Sequence, residues 1–196
     1  MSHRAVFLDR DGVLVADNGL VTDVERFDIL PGVPQALNEL QAAGFKLIVV
    51  TNQTVVARGM LSESQLDVLH GQLGHRLRAA GAPAWDALYS CPHHPSATLP
   101  AYRTVCDCRK PQPGMLFRAM QEHSLVADRC FMVGDRVSDV QAGLRGGCKT
   151  VWITSGQHNA APIESGHAED HAEKNVTAHH VCESLLTAVG WILSQS

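Results

Sequence analysis

No apolar run in the chain approaches the roughly 20 residues that a membrane-spanning helix needs, so a helical membrane protein is not expected. Positive charge is in short supply too: 16 Lys and Arg stand against 20 Asp and Glu, a formal net charge of −4. That balance disfavours a nucleic-acid surface or a polybasic membrane anchor. The N-terminus lacks a charged stretch followed by an apolar core and a cleavage site, which makes the cytoplasm the expected compartment. Internal repeats and low-complexity segments are missing as well. What is present is 196 residues, 45% hydrophobic and 18% charged. That fits a single domain over 1–196 with a sizeable core.

Apolar runs of strand length recur at AVFL (5–8), KLIVV (46–50), ALYS (87–90), RCFMV (129–133) and KTVWI (149–153). Continuous runs of this kind suit strands covered on both faces, as in a parallel sheet. Helical patterns lie between them. GVPQALNELQAAG carries apolar positions at Val33, Ala36, Leu37 and Leu40, with Gly44 as the C-cap. Residues 62–81 open on a capping box from Ser62 to Gln65 and keep a stripe at Leu66, Leu69, Leu73 and Leu77. PGMLFRAMQEH (113–123) and SDVQAGLRG (138–146) are shorter helices. VTAHHV and VCESLLTAVGWIL read as a last strand and helix, and 156–175 as a surface loop. Strands alternating with helices predict an α/β fold, a doubly wound parallel sheet. Residues 91–113 break the rhythm as an inserted loop.

In open α/β sheets, sites form at the carboxyl ends of the strands. Asp9-Arg10-Asp11-Gly12 follows the first strand and Thr51-Asn52-Gln53 the second; Arg109-Lys110-Pro111 follows the inserted loop, and Gly134-Asp135-Arg136 follows RCFMV, with Asp139 a turn later. Acids, a hydroxyl, an amide and cations would thus meet at one edge. An uncompensated acid cluster there is unfavourable. A divalent cation with a phosphate would balance it, since Mg²⁺ takes carboxylate and phosphate oxygens.

These segments carry a resemblance. FLDRDGV, VVTNQ, RKPQPGM and VGDRVSDVQAG are similar, in order, to the four motifs of the haloacid dehalogenase (HAD) superfamily of phosphatases, across about residues 5–153. The resemblance implies a HAD-like Rossmannoid fold with no large cap, only a short flap near 14–28 and the inserted loop. It implies Asp9 as the nucleophile that forms an aspartyl-phosphate. Asp11 becomes the general acid and then the base, with Gly12 permitting the turn and Arg10 pointing away. Mg²⁺ would be held by Asp9, the Asp11 main-chain carbonyl and Asp135. Thr51 and Lys110 would stabilise the phosphoryl oxygens. Asp139 is either a support behind the metal or an acid of the helix first turn.

Cys91-x-His93 is followed by twelve residues and then by Cys106-x-Cys108. Three thiolates and an imidazole make a closed tetrahedral set suited to structural Zn²⁺ in a loop at about 91–108. His94 is the rival to His93, and a disulfide is the rival to the metal. Cys130, Cys148 and Cys182 read as core thiols. The histidines at 158, 167, 171, 179 and 180 lack ligand spacing.

The CxH…CxCRKP loop resembles that of one HAD branch, which holds the D-glycero-D-manno-heptose 1,7-bisphosphate phosphatases and the histidinol-phosphate phosphatases. TNQTVVARGM is most similar to the heptose enzymes. That likeness implies removal of the C7 phosphate from a sugar bisphosphate, on the way to ADP-heptose and the lipopolysaccharide core. It makes Asp17, Asn18, Gly19, Leu20, Asn52, Gln53, Thr54, Arg109 and Arg136 substrate-binding, with Arg109 and Arg136 suited to a second phosphate. Thr54-Val55-Val56 departs from the branch's Ser-Gly-Ile, and Leu20 stands where an aromatic is usual. A monomer is expected. The alternatives are histidinol phosphate, whose cationic alcohol would want acids such as Asp17 and Asp23 at the mouth, and a zinc-stabilised binding module without activity.

Overall fold

The structure, a computed structural model, describes residues 4–154 and 176–195. The surface loop expected at 156–175, with His158, His167 and His171, lies outside the described residues. Six strands run in the order β3-β2-β1-β4-β5-β6. They are β1 (Ala5–Leu8), β2 (Lys46–Asn52), β3 (Ala87–Cys91), β4 (Phe131–Gly134), β5 (Lys149–Ile153) and β6 (His180–Cys182). Every pairing is parallel. The strand order reverses between β1 and β4, and such a switch point opens a crevice at the carboxyl ends of the strands.

Side chains alternate between two cores. Val6, Leu8, Leu47, Val49, Phe131 and Val133 pack on one face with α1 (Val33–Ala42), α3 (Glu63–Ala79) and α6 (Leu185–Ser194). Ala5, Phe7, Ile48, Val50 and Met132 pack on the other, with Met115, Leu116 and Ala119 of α4 (Gly114–His123). Both faces being covered explains why the strands lack hydrophobic alternation. α5 (Val137–Arg145) closes the second face over β4 and β5, and a Cβ on its Gly143 would stand 2.6 Å from Thr150 Cγ2. The capping box at Ser62 is complete: Ser62 Oγ accepts from Gln65 N, and Gln65 Oε1 accepts from Ser62 N.

The differences from expectation lie at element ends. β2 runs on through Thr51 and Asn52, and β3 through Cys91, because Thr51↔Ser90 and Asn52↔Cys91 remain in register. Ala127–Arg129 winds into a 3₁₀ turn, so β4 starts at Phe131. β6 claims Val181 and Cys182, which delays α6 until Ser184 caps it. Cys130 and Cys148 are buried, as read, while Cys182 is half-buried. His179 bonds Thr150, and His180 stacks on Trp191 at 4.9 Å. The flap is an arm pinned where Val15 bridges Asp11 and Ile29, with Phe27 and Leu14 buried beneath it.

Candidate active site and metal centres

β1 continues one residue past its last strand position, where Asp9 N donates to Val133 O at 3.0 Å. That contact places Asp9 beside the end of β4 and its successor Asp135. A Trp152 indole from β5 fixes the same corner by donating to Asp135 O at 3.1 Å. The Asp9, Asp135 and Asp139 carboxylates lie within 4.8 Å of one another, all buried. Gly134 makes room for this: a Cβ there would fall 2.1 Å from Asp139 Cβ.

Lys110 enters from the inserted loop, and its ammonium is fully engaged. Nζ meets Asp9 Oδ1 at 2.8 Å and Asp139 Oδ1 at 2.6 Å, and donates to Val50 O at 2.9 Å. Burial alone would lower the Lys110 pKa; Asp139 and Asp9 outweigh it and hold the pKa raised. Asn52 grips the Lys110 backbone at two points: its Oδ1 accepts from Lys110 N and its Nδ2 donates to Lys110 O, each at 3.0 Å.

Three carboxylates against one ammonium leave two negative charges, and both Asp135 oxygens are buried without a hydrogen-bond partner. Burial, then Asp9 and Asp139, push the Asp135 carboxyl up to about 8. Hard oxygen donors with two uncompensated charges fit a divalent cation such as Mg²⁺. The side chain of Asp139 adds a second duty by accepting from Arg136 N at 3.0 Å. Asp139 therefore belongs to the acid cluster itself and also caps α5.

Gly12 sits at φ +78°, and a Cβ there would stand 2.1 Å from Asp135 Oδ2. Left-handed backbone disfavours a side chain by about 1–2 kcal/mol before any clash. Gly12→Ala is therefore expected to lower the unfolding free energy by more than about 1 kcal/mol, and denaturant titration reads that loss directly.

Asp11 stands apart from the three-acid set. Arg10 was expected to point away; instead it folds back onto Asp11, with Nε to Oδ1 at 3.1 Å and Nη2 to Oδ2 at 2.8 Å. The chain leaves the strand at this point, so the alternation that would turn Arg10 outward no longer applies. Gln53 Nε2 joins the set, donating to Asp11 Oδ2 at 3.1 Å and to Thr51 Oγ1 at 2.9 Å. Burial, opposed by Arg10, leaves the Asp11 carboxyl raised.

A cavity of about 530 Å³ opens over these groups. Asp9, Asp11, Thr51, Asn52, Gln53 and Lys110 line it, together with Asp17, Gly19, Leu20, Thr54, Arg109 and Arg136. Asn18 turns to Arg26 O and Asp28 Oδ2 instead. Arg136 pairs with Asp17 at 2.8 Å, and Asp23 caps the 3₁₀ turn at Glu25 N. Arg58, which lies within TNQTVVARGM but was not singled out as a site residue, also lines the cavity. Val55 and Val56 lie in α2 (Thr54–Ala57) and pack into the core, and Val55 also lines the cavity.

The second cluster gathers Cys91, His93, Cys106 and Cys108 within 4.8 Å. His93 Nδ1 is 3.4 Å from Cys108 Sγ, whereas His94 Nδ1 accepts from Ser96 N. The cysteines are free thiols. Contacts with Cys91, then Cys106 and His93, lower the Cys108 thiol to about 5. Three sulfurs and one imidazole fit Zn²⁺, and the cluster could hold it.

The chain is similar to known proteins over most of its length. A haloacid dehalogenase-like hydrolase family matches residues 18–147, and a HAD-hydrolase-like family matches 107–188. The D-glycero-beta-D-manno-heptose-1,7-bisphosphate 7-phosphatase of Photorhabdus laumondii is 45% identical over 138 residues, 70% of this chain and 73% of that protein. The Escherichia coli K12 protein of the same name is 41% identical over 140 residues, 71% and 73% of the two chains. The crystal structure of D,D-heptose 1,7-bisphosphate phosphatase from B. bronchiseptica, complexed with magnesium and phosphate, superposes with a TM-score of 0.77 at 28% identity, covering 99% of each chain. Among the described residues no helix is long and apolar enough to cross a membrane.

Proposed function

The chain belongs to the haloacid dehalogenase-like hydrolase family, and from that premise we propose that it removes the C7 phosphate of D-glycero-D-manno-heptose 1,7-bisphosphate through an aspartyl-phosphate on Asp9. It is a phosphatase, a phosphoric monoester hydrolase. The observation that carries the reading is the buried set of Asp9, Asp135, Asp139 and Lys110, closed except for the two unpartnered Asp135 oxygens.

Lys110 orients Asp9 through its 2.8 Å contact, so that one carboxylate oxygen faces the cavity for attack on phosphorus. The ester P–O bond breaks, and Asp11 delivers a proton to the departing sugar oxygen. Asp11 then takes a proton from the water that opens the aspartyl-phosphate. The Thr51 hydroxyl would meet the charge that gathers on the phosphoryl oxygens, and the Lys110 ammonium, its three donors already taken, would act on that charge through its field alone. Mg²⁺, held by Asp9, Asp135 and the Asp11 carbonyl, would neutralise charge between nucleophile and phosphate. Zn²⁺ on Cys91, His93, Cys106 and Cys108 would be structural, since four protein ligands leave no position for water.

Arg109 and Arg58 at the cavity wall suit the second phosphate of the substrate. Arg136 is less suited because Asp17 already neutralises it. That pairing also counts against histidinol phosphate. Of the two acids that a cationic substrate would seek, Asp17 holds Arg136 and Asp23 caps a turn. The test is phosphate release with Mg²⁺ from each ester. A kcat/KM at least about tenfold higher for the bisphosphate, equivalent to about 1.4 kcal/mol, is expected. Preference for histidinol phosphate would overturn the substrate assignment. We read the protein as a cytoplasmic monomer acting on a small molecule.

A further inference from the structure

Arg10 is among the most buried side chains of the protein, at 1% exposure, and it touches the site only through Asp11. Its guanidinium lies over the Phe27 ring at 4.9 Å, and Nη1 meets His70 Nε2 at 3.1 Å. His70 belongs to α3, on the same helix face as Leu66, Leu73 and Leu77, and is 4% exposed. A polar ring on that face is unfavourable unless it is hydrogen-bonded. Arginine carries no acceptor, so Nε2 must accept from Nη1, and the neutral ring carries its proton on Nδ1. Burial, reinforced by Arg10, lowers the His70 pKa to about 3 and keeps the ring neutral.

We infer that Arg10 and His70 form a positioning arm that fixes the Asp11 carboxylate and leaves Oδ1 as the oxygen carrying the transferable proton. The inference rests on Asp11 being the acid and base of the proposed reaction. A carboxylate offers about four lone-pair sites, two on each oxygen. Arg10 Nη2 and Gln53 Nε2 occupy both on Oδ2, whereas Arg10 Nε occupies one on Oδ1. The remaining Oδ1 site takes the proton, and gives it up with the bonding pair returning to Oδ1 as the ester oxygen leaves. His70 acts through Arg10 alone. It holds the guanidinium in the plane that meets both carboxylate oxygens.

The experiment compares kcat on the heptose bisphosphate with kcat on p-nitrophenyl phosphate, whose nitrophenolate departs without a proton. Asp11→Asn should lose about 100-fold more on the sugar ester than on the aryl ester, the scale of a general acid's contribution. His70→Leu should lose a share of that contribution, about tenfold, on the sugar ester alone. His70→Gln, whose amide oxygen can accept from Nη1, should recover most of the loss. Equal slowing of both esters by His70→Leu, or no slowing of either, would overturn the inference and leave the Asp11 assignment standing. No discrimination by Asp11→Asn itself would remove the assignment and the inference together. His70→Asn, too short to reach Nη1, is expected to behave as the Leu variant does and replaces it should that variant not fold.

Discussion

Asp9→Asn is expected to abolish Mg²⁺-dependent phosphate release, by about four orders of magnitude or more, while the protein stays folded. Removing one member of a catalytic set that acts as a unit has effects on that scale. The amide is nearly isosteric with the carboxylate and no longer supplies the anionic oxygen that attacks phosphorus. The amide oxygen can still accept from Lys110, which also keeps Asp139 Oδ1 at 2.6 Å and Val50 O at 2.9 Å, so what is lost is one ion pair. The change also withdraws one negative charge from a buried cluster in which Asp9 helps to push Asp135 upward. Repulsion relieved and ion pair lost oppose each other, so the melting temperature should move by only a few degrees. Phosphate release, a melting curve, and a search for labelled phosphoenzyme in the wild type check this together. Retention of more than about 1% of activity, far above the residual left by losing such a member, would mean that another group makes the bond to phosphorus.

Cys108→Ser or removal of zinc by a chelator is expected to lower the melting temperature by about 10 °C and to cost most of the activity. Structural Zn²⁺ sites contribute free energies of about 10 kcal/mol or more in small domains. A change of 1 kcal/mol shifts the melting temperature of a chain this size by about 2–4 °C, so only part of that energy need be lost. Activity should follow because Arg109 and Lys110 come directly after the last ligand. The Asn52 clamp would still hold the Lys110 backbone, which makes the loss of activity graded. Thiols must be deprotonated to bind metal, so zinc retention should weaken as pH falls. Zinc content by emission spectrometry, measured beside calorimetry, decides the matter. A protein that contains no zinc and melts at the same temperature with and without chelator would refute the structural role.

Much of the fold could be read from the sequence because both faces of the sheet are covered, which turns each strand into an unbroken apolar run. The acids of the site were equally legible, since a parallel sheet delivers whatever follows each strand to one edge. The cluster of Cys91, His93, Cys106 and Cys108 was readable from ligand spacing, and it includes His93 rather than His94. The connections between these groups were not legible. Arg10 meets His70 across sixty positions, and Asn52 meets Lys110 across fifty-eight. Neither pair leaves a local pattern. Asn52, read as a substrate contact, lines the cavity and also holds a backbone; Arg136, read as a phosphate cation, lines it paired with Asp17; Asn18 faces its own arm. Polar side chains of this kind are assigned by their partners, and those partners come from other elements.

The strand order has a consequence for synthesis. β1 occupies an interior position between β2 and β4. As the chain leaves the ribosome, β1 and Asp9 emerge before β2, which follows to one side. The other side of β1 stays open until β4 emerges, more than half the chain later. Until then Asp9 has neither Asp135 nor Asp139 beside it, and Lys110 has only part of its cage. A nascent or truncated chain that stops short of β4 would therefore be chemically silent however well its first half folded, and a partial product could not consume phosphate esters before the domain was complete.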